Sequence, residues 1–393
     1  MPNHPPLPAP IVLLAVCIGM IGIFSNDSFI PAMPAIAEFF QITTTQAQAG
    51  LASSLLGFGI GPLFYGIAAD RWGRKIPLLV GFGIFLLFSL LAMTATSAQW
   101  IVLCRFFQGL GGACVGINRA IGRDVYDGAA LTRYMALGGI TAAIGSSVAA
   151  LVGGKFVAWY GWPGCFWLHA GLAFTLGVLI MLFLPETLAV EHRQRVGWRQ
   201  QWALIASVLR HRQARGYALL SSAGIGGALA FTSHLPFWLQ QFTIPPAAYG
   251  YYAMLLPLGY FVGNLVSEFG KTKPPHLMLR IGMTIIVLTT GLLVVGYMSQ
   301  TLTPWLMVLL GSSYMAGNGF LLPVAGAGVV RPFPHCAGVA SALYSLFMMS
   351  GGVLTIAGIG WLFDNQTLPA LLAMAAIPLA GYGYCGWCQR RLR

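Results

Sequence analysis

The sequence predicts an all-α membrane protein of twelve transmembrane helices in two pseudo-symmetric six-helix bundles, and three observations carry that expectation. The chain is 57% hydrophobic and only 8% charged, against about 25% charged in an ordinary soluble domain, so water is not its main solvent. Apolar runs recur at roughly the 20-residue length an α-helix needs to cross hydrocarbon. One long polar interval, PETLAVEHRQRVGWRQQWALIASVLRHRQAR, divides those runs into two sets of six.

The spans are expected at 10–34, 46–69, 76–95, 98–122, 133–157, 163–184, 215–240, 247–270, 276–298, 303–328, 336–362 and 367–388. This gives an N-terminal bundle over 1–184, a cytoplasmic inter-bundle loop over 185–214 and a C-terminal bundle over 215–393. Fifty glycines suit helices that pack closely in lipid. The opening MPNHPPLPAP lacks the basic region and cleavage site of a secretory signal, so the first run is expected to remain as a helix. Seven cysteines are scattered without disulfide or zinc spacing, and the Cys385–Cys388 pair reads as interfacial filler rather than a thiol site.

Sidedness follows from where the cations fall, because positive residues resist translocation. With both termini cytoplasmic, that side receives Arg71, Arg74, Lys75, Arg123, Arg133, six arginines from Arg193 to Arg215, Lys271, Lys273, Arg280, Arg331 and the C-terminal arginines, and the opposite face only Lys155. Trp100, Trp159, Trp162, Trp238, Trp305 and Trp361 fall near the outer ends, as an interfacial belt predicts. The net charge of +12 is thereby absorbed by topology; no basic patch interleaved with exposed aromatics points to nucleic acid. The halves echo each other where QGLGGACVGINRAIGR aligns with AGNGFLLPVAGAGVVR, matching Gly109 to Gly317 and Arg123 to Arg331.

The loop between the second and third spans reads Gly66-Ile-Ala-Ala-Asp70-Arg71-Trp72-Gly73-Arg74-Lys75. Gly73 permits a tight turn, and the cations hold the loop against an anionic surface. This pattern resembles the cytoplasmic loop motif of the major facilitator superfamily, G-x-x-x-D-R-x-G-R-K. The resemblance implies a gate in which Asp70 meets the start of the eleventh helix near Cys336 to Ala340; the alternative is a topological anchor only.

The fourth span, IVLCRFFQGLGGACVGINRAIGRD, sets Arg105, Gln108, Gly112, Gly116 and Arg119 along one helical face. An intramembrane arginine is costly and is expected to face protein or a water-filled space with a partner. VLCRFFQG resembles the superfamily's fourth-helix motif, whose arginine is tied to proton transfer, and RAIGRDVYDG resembles its continuation in the Bcr/CflA drug-transporter branch. Arg119 either snorkels to the inner surface or serves the cavity.

In the first span, NDSFIPAMPAIAEFF places Asp27 before Pro31 and Pro34, the only carboxylate expected inside a span. It resembles the first-helix pattern of Bcr/CflA-type multidrug antiporters, an acid preceding L-P-A-x-P-x-I-A. Burial disfavours a charged carboxylate and a nearby cation such as Arg105 favours it, so a cavity that opens and closes is expected to load and unload a proton there. At ~1.5 Å per residue the two groups lie roughly 18 and 10 Å below the outer ends of their helices, close enough for a tilted pair. The prolines are expected to bend the helix. The alternative is that Asp27 ends a shorter span at the interface. Asn26, Gln108, Asn118, Arg119, His234, Asn264 and Asn318 are the candidate cavity groups, each also readable as interhelical glue.

The fifth span departs from the antiporter pattern. The resemblance implies a glycine-proline pair there, and this chain keeps Gly153-Gly154 but has Ala149-Ala150 in the proline's place. The expected activity is proton-coupled efflux of small apolar or cationic compounds, with a dedicated exporter or importer of one metabolite such as a siderophore as the alternative and a non-transporting membrane sensor as a remote one. No GxxxxGK[ST], HExxH, GxSxG or metal-ligand cluster is present, so neither an enzyme nor a cofactor is expected. The expected partners are a small-molecule substrate, protons and the lipid bilayer, for a monomer in a bacterial inner membrane.

Overall fold

A computed structural model describes residues 8–193, 198–270, 274–363, 367–376 and 379. All regular structure among them is helical. Nine helices are long and apolar enough to cross a membrane: Thr44–Trp72, Lys75–Met93, Ala98–Val125, Gly128–Tyr160, Gly164–Phe183, Arg212–Gln241, Pro275–Met298, Pro304–Val330 and Ala337–Leu362. They are the second to seventh and ninth to eleventh expected spans. A bent pair, Pro10–Ile18 and Ile21–Phe40, supplies the first. The eighth is broken at Met254 into Pro246–Ala253 and Leu255–Phe269. Of the twelfth, Thr367–Ala376 is helical and most of the remainder lies outside the described residues, as do Lys271, Lys273, Cys385, Cys388 and the C-terminal arginines. Within the polar interval, Trp198–Arg210 forms a helix of its own.

The first span differs from expectation in where it bends. It continues past its prolines to Phe40, so Asp27 sits inside it. The 48° bend falls at Gly19-Met20. Pro31 and Pro34 occupy first-turn positions of a short 3-10 segment, Ile30–Ala32, and of the helix Met33–Phe40. A missing N–H loses least at such positions, so the prolines tighten the chain without breaking it.

Without a hydrophobic drive between helices in lipid, close backbone approach holds each bundle together. At the crossing of the second and fourth spans, a Cβ on Gly109 would lie 2.0 Å from the Ser54 carbonyl oxygen, a position only glycine fits. Gly317, its counterpart in the sequence echo, is crowded too, with the nearest atom at 2.6 Å, but faces Gly282 and Ile286 of the ninth span. The echo therefore repeats the small residue and not its neighbour.

The bundles share one core at the end away from the 66–75 loop. Phe29, Met33, Leu51 and Phe166 of the first pack there in one cluster with Phe231, Leu235, Trp238 and Ile356 of the second. Thr45 donates to the Gly360 carbonyl (3.3 Å), and buried Gln48 donates to that of Ser233 (3.3 Å). Trp162 and Trp238, expected in an interfacial belt, are buried in this closure, whereas Trp100, Trp159, Trp305 and Trp361 are exposed. Toward the loop end the cores separate, one built from residues before 185 and two from residues 204 onward, with Leu63 of the second span packed against one of the latter. The second and eleventh spans touch where a Cβ at Gly59 would meet Met349 at 3.0 Å, yet two turns on along the same face Gly66 meets nothing within 4 Å, nor does Gly338. The molecule is closed at one end and parted at the end bearing the basic loop.

Gly109→Ala is expected to destabilise the detergent-solubilised protein by about 1–3 kcal/mol through overpacking, read as a lower thermal unfolding midpoint. Gly83→Ala, at a position open on all sides, is the control and should leave the midpoint unchanged.

Candidate functional site

Arg105 is fully buried in the fourth span. Its guanidinium donates to Ser25 Oγ (2.8 Å), Asn26 Oδ1 (2.8 Å) and Gln108 Oε1 (2.5 Å), and lies 4.4 Å from the centre of the Phe29 ring. Among the described residues no carboxylate bonds with it. Successive residues of a helix point about 100° apart, and Asn26 takes the direction toward the fourth span while Asp27 turns to the fifth and bonds with Ser146. The expected Asp27–Arg105 pair is therefore not formed. Side-chain dipoles and an aromatic face offset the buried charge in place of an acid.

From Arg105 a directed chain of hydrogen bonds runs through the bundle. Arginine can only donate, so the Gln108 oxygen must face it and the amide nitrogen must face away. That nitrogen donates to Ser89 Oγ (2.6 Å) and to His169 Nδ1 (3.2 Å). His169, fully buried in the sixth span, then carries its proton on Nε2 and donates to Ser28 Oγ (2.7 Å), whose hydroxyl ends on the Phe24 carbonyl (2.6 Å). Ser54 adds a bond to Asn26 (2.9 Å). Spans one, two, three, four and six are thus tied at one level by Arg105 and Gln108.

Asp27 is partly buried, and its carboxylate accepts from the Ser146 hydroxyl. The other candidates sit as follows. Asn118 is buried and accepts from Tyr134, holding the fourth span to the fifth. His234 is buried, donates from Nδ1 to the Ala230 carbonyl (2.8 Å) and stacks on Trp238. Asn318 is buried and donates to the Tyr314 carbonyl (3.4 Å). Asn264 is partly buried and bonds with Tyr260. Arg119 is exposed, within electrostatic reach of Tyr260 and Tyr344 of the second bundle.

The loop motif forms a compact polar cluster. Arg74 pairs with Asp70 (2.7 Å) and with Asp124 (2.8 Å) at the end of the fourth span. Burial works against the Arg74 charge, but the bonds and charges of Asp124 and Asp70 win, and the guanidinium is held above its ordinary pKa. Glu186, after the sixth span, accepts the backbone N–H of Arg74 (2.7 Å) and Lys75 (3.2 Å), capping the third span at its positive dipole end. Lys75 Nζ donates to the Met181 carbonyl (2.9 Å), and exposed Arg71 lies over Trp72. Gly73 is required twice over, by a φ of +91° and because a Cβ would come 2.3 Å from Glu186 Oε2. A Cβ at Gly66 would meet nothing within 4 Å. Asp70 is 54% exposed and meets Arg74 rather than residues 336–340, because the bundles part at this end.

Sequence reading missed His169, Ser146, Asp124 and Glu186. His169 was visible as a histidine mid-span, and Asp124 as the acid closing GRD. Nothing local distinguished Ser146 from Ser147, or marked Glu186 as a cap for a helix 111 residues away.

The profile described as Major Facilitator Superfamily matches residues 14–382. Multidrug resistance protein D of Escherichia coli (strain K12) is 26% identical over 388 residues, covering 96% of this chain and 91% of the relative. The Bicyclomycin resistance protein homolog of Haemophilus influenzae is 24% identical over 374 residues, 93% of this chain and 92% of the relative. Among solved structures, a D-xylose-proton symporter superposes with a TM-score of 0.76 at 14% identity, covering 95% of this chain and 96% of that one, a likeness of fold.

Gln108→Leu is expected to strand the Arg105 donor and the His169 acceptor together, at about 1–3 kcal/mol for each stranded group. Gly73→Ala is expected to cost about 1–3 kcal/mol through backbone strain. Thermal unfolding in detergent measures both, and an unchanged midpoint in either variant removes the role assigned to that residue.

Proposed function

The chain belongs to the Major Facilitator Superfamily, and on that premise we propose that it is a proton-coupled secondary transporter exporting small molecules across a bacterial inner membrane by alternating access. The observation that carries this reading is Asp27, a carboxylate inside a span whose bonded partner is a hydroxyl. A serine hydroxyl donates to an ionised carboxylate and accepts from a protonated one. Asp27 therefore gains or loses its proton without breaking an ion pair. The drug-resistance proteins among the relatives support export over uptake.

The distribution of Lys and Arg supports a cytoplasmic basic end, with both termini on that side. In that orientation the described conformation is open inward, with the outer end sealed by the shared core. Ser146 lies on the fifth span, which packs against the eighth where Gly250 approaches the Ala150 backbone. Rocking at that contact would change the surroundings of Asp27 from one face of the membrane to the other. Arg74, its acids and Glu186 would brace the loop while Asp70 exchanges partners with the start of the eleventh span on closure. One proton moving inward through 100 mV supplies about 2.3 kcal/mol, enough for more than tenfold accumulation.

A dedicated carrier of one metabolite is the second reading. It is favoured by Ala149 and Ala150 in the fifth span, where the antiporter pattern has glycine-proline. Loss of resistance to several unrelated compounds on deletion supports multidrug export, and a growth defect on one nutrient supports the dedicated carrier.

Proteoliposomes carrying Asp27→Asn are expected to exchange substrate across the membrane yet fail to accumulate it under an imposed pH gradient, which the wild type does. Gradient-driven accumulation at the wild-type level in the variant takes Asp27 out of the coupling step.

A further inference from the structure

The polar interval folds into one helix, Trp198–Arg210, and only His211 separates it from the seventh span, which begins at Arg212. The junction is stiff. His211 accepts the Ala214 N–H at Nδ1 (3.2 Å), and its ring meets that of Phe333 edge-on at 5.2 Å. The seventh span runs for 30 residues, about 45 Å at ~1.5 Å per residue, which is the thickness of a bilayer together with its headgroup layers. The short helix therefore lies at the membrane surface.

Three directions around this helix differ in character. Val208 is buried, with Leu204 and Ile205 beside it, in the cluster that holds Phe333 and Ala340 of the second bundle. At about 100° per residue, Trp202 and Leu209 fall within about 20° of each other and roughly 110° from Val208. Both are exposed, Trp202 by 65%. Arg210 is exposed as well, on the far side from Val208. A protein face, an apolar stripe beside it and a basic side beyond are what a helix lying in the interface needs. The charge fits too: from His192 to Ser267 the sequence has no acid, and six arginines fall between Arg193 and Arg215. Such a strip complements an anionic lipid surface.

We propose that Trp198–Arg210 is an interfacial anchor for anionic phospholipid: Trp202 and Leu209 enter the headgroup–acyl boundary of the adjoining leaflet, and Arg210 with its neighbouring arginines binds lipid phosphates. Lipid is the occupant because the junction with the seventh span already sets the stripe at membrane level. Aromatic and aliphatic side chains at that depth bury themselves without a second protein. Since Val208 ties the helix to the second bundle, the anchor holds that bundle's basic end against the leaflet. The proposal requires that the chain spans a membrane and draws on no step of transport.

Tryptophan emission of the full-length protein in phosphatidylcholine nanodiscs tests this. Subtracting the Trp202→Phe spectrum isolates Trp202, and phenylalanine keeps an apolar ring at that exposed position. The nanodiscs carry, at equal mole fraction, phosphatidylcholine or phosphatidylglycerol brominated near the carbonyl end of one acyl chain, and acrylamide is the quencher in the water. Both bromolipids are expected to quench the Trp202 signal, acrylamide to reach it poorly, and phosphatidylglycerol to act as though enriched about fivefold around it. Arg210→Gln should lower that enrichment, Arg210→Lys should keep it, and molar salt should abolish it. A Trp202 signal open to acrylamide and untouched by either bromolipid shows a face turned to water or to a soluble partner, and overturns the proposal. Equal quenching by the two bromolipids, or a preference unmoved by Arg210→Gln, overturns it as well. No gradient or substrate is involved, so failure here leaves the Asp27 experiment standing, and failure there leaves the anchor.

Discussion

A guanidinium taken fully out of water must recover hydration from the protein, and Arg105 does so without an acid through its two terminal nitrogens, its buried Nε being left without a hydrogen bond among the described residues. Ser25, Asn26, Gln108 and the Phe29 ring surround it; Asn26 is held in turn by Ser54, Gln108 by Ser89 and His169, and Phe29 by Phe166. Gln108 has its orientation dictated by arginine's inability to accept, and that orientation fixes the His169 tautomer and through it the bond to Ser28. One charge in the fourth span thereby sets the hydrogen-bond direction across the first bundle. Had Arg105 been paired with Asp27, the carboxylate would be held ionised by its partner. Because amide and hydroxyl dipoles do the neutralising, the acid one residue along is left to a serine.

The same separation of labour recurs at the basic end. Arg74 is anchored by two acids and Glu186 caps the third span, so the loop is rigid within its own bundle. There a Cβ at Gly66 or Gly338 would meet nothing within 4 Å, while at the opposite end aromatic and aliphatic side chains from both halves form a single core. Stiff bundles that touch at one end and part at the other are bistable elements, since packed cores do not deform continuously.

Much of the fold was legible because hydrocarbon thickness is a severe constraint: runs of about 20 apolar residues have little alternative to helices. The eighth span escaped that logic in part, as a break at Met254 divides a run that looks continuous in hydropathy. The bend of the first span fell at Gly19-Met20 rather than at the prolines, because a proline in a first helical turn gives up no hydrogen bond. Trp162 and Trp238 have the right depth for an interfacial belt, but depth does not reveal that two bundles close over them.

The sequence by itself determined the first to seventh and ninth to eleventh spans, that Asp27 and Arg105 lie inside two of them, and that the 66–75 loop is a tight basic turn. Only the tertiary structure decided that Asn26 rather than Asp27 meets Arg105, that Ser146 faces Asp27, and that His169 completes the buried network. Hydropathy reports length and depth along a helix axis, whereas rotation about that axis is set by packing against neighbours. A turn of 100° separates one residue from the next, and at Asn26 and Asp27 that turn decides which of two adjacent polar groups receives the cation and which is left to a serine hydroxyl.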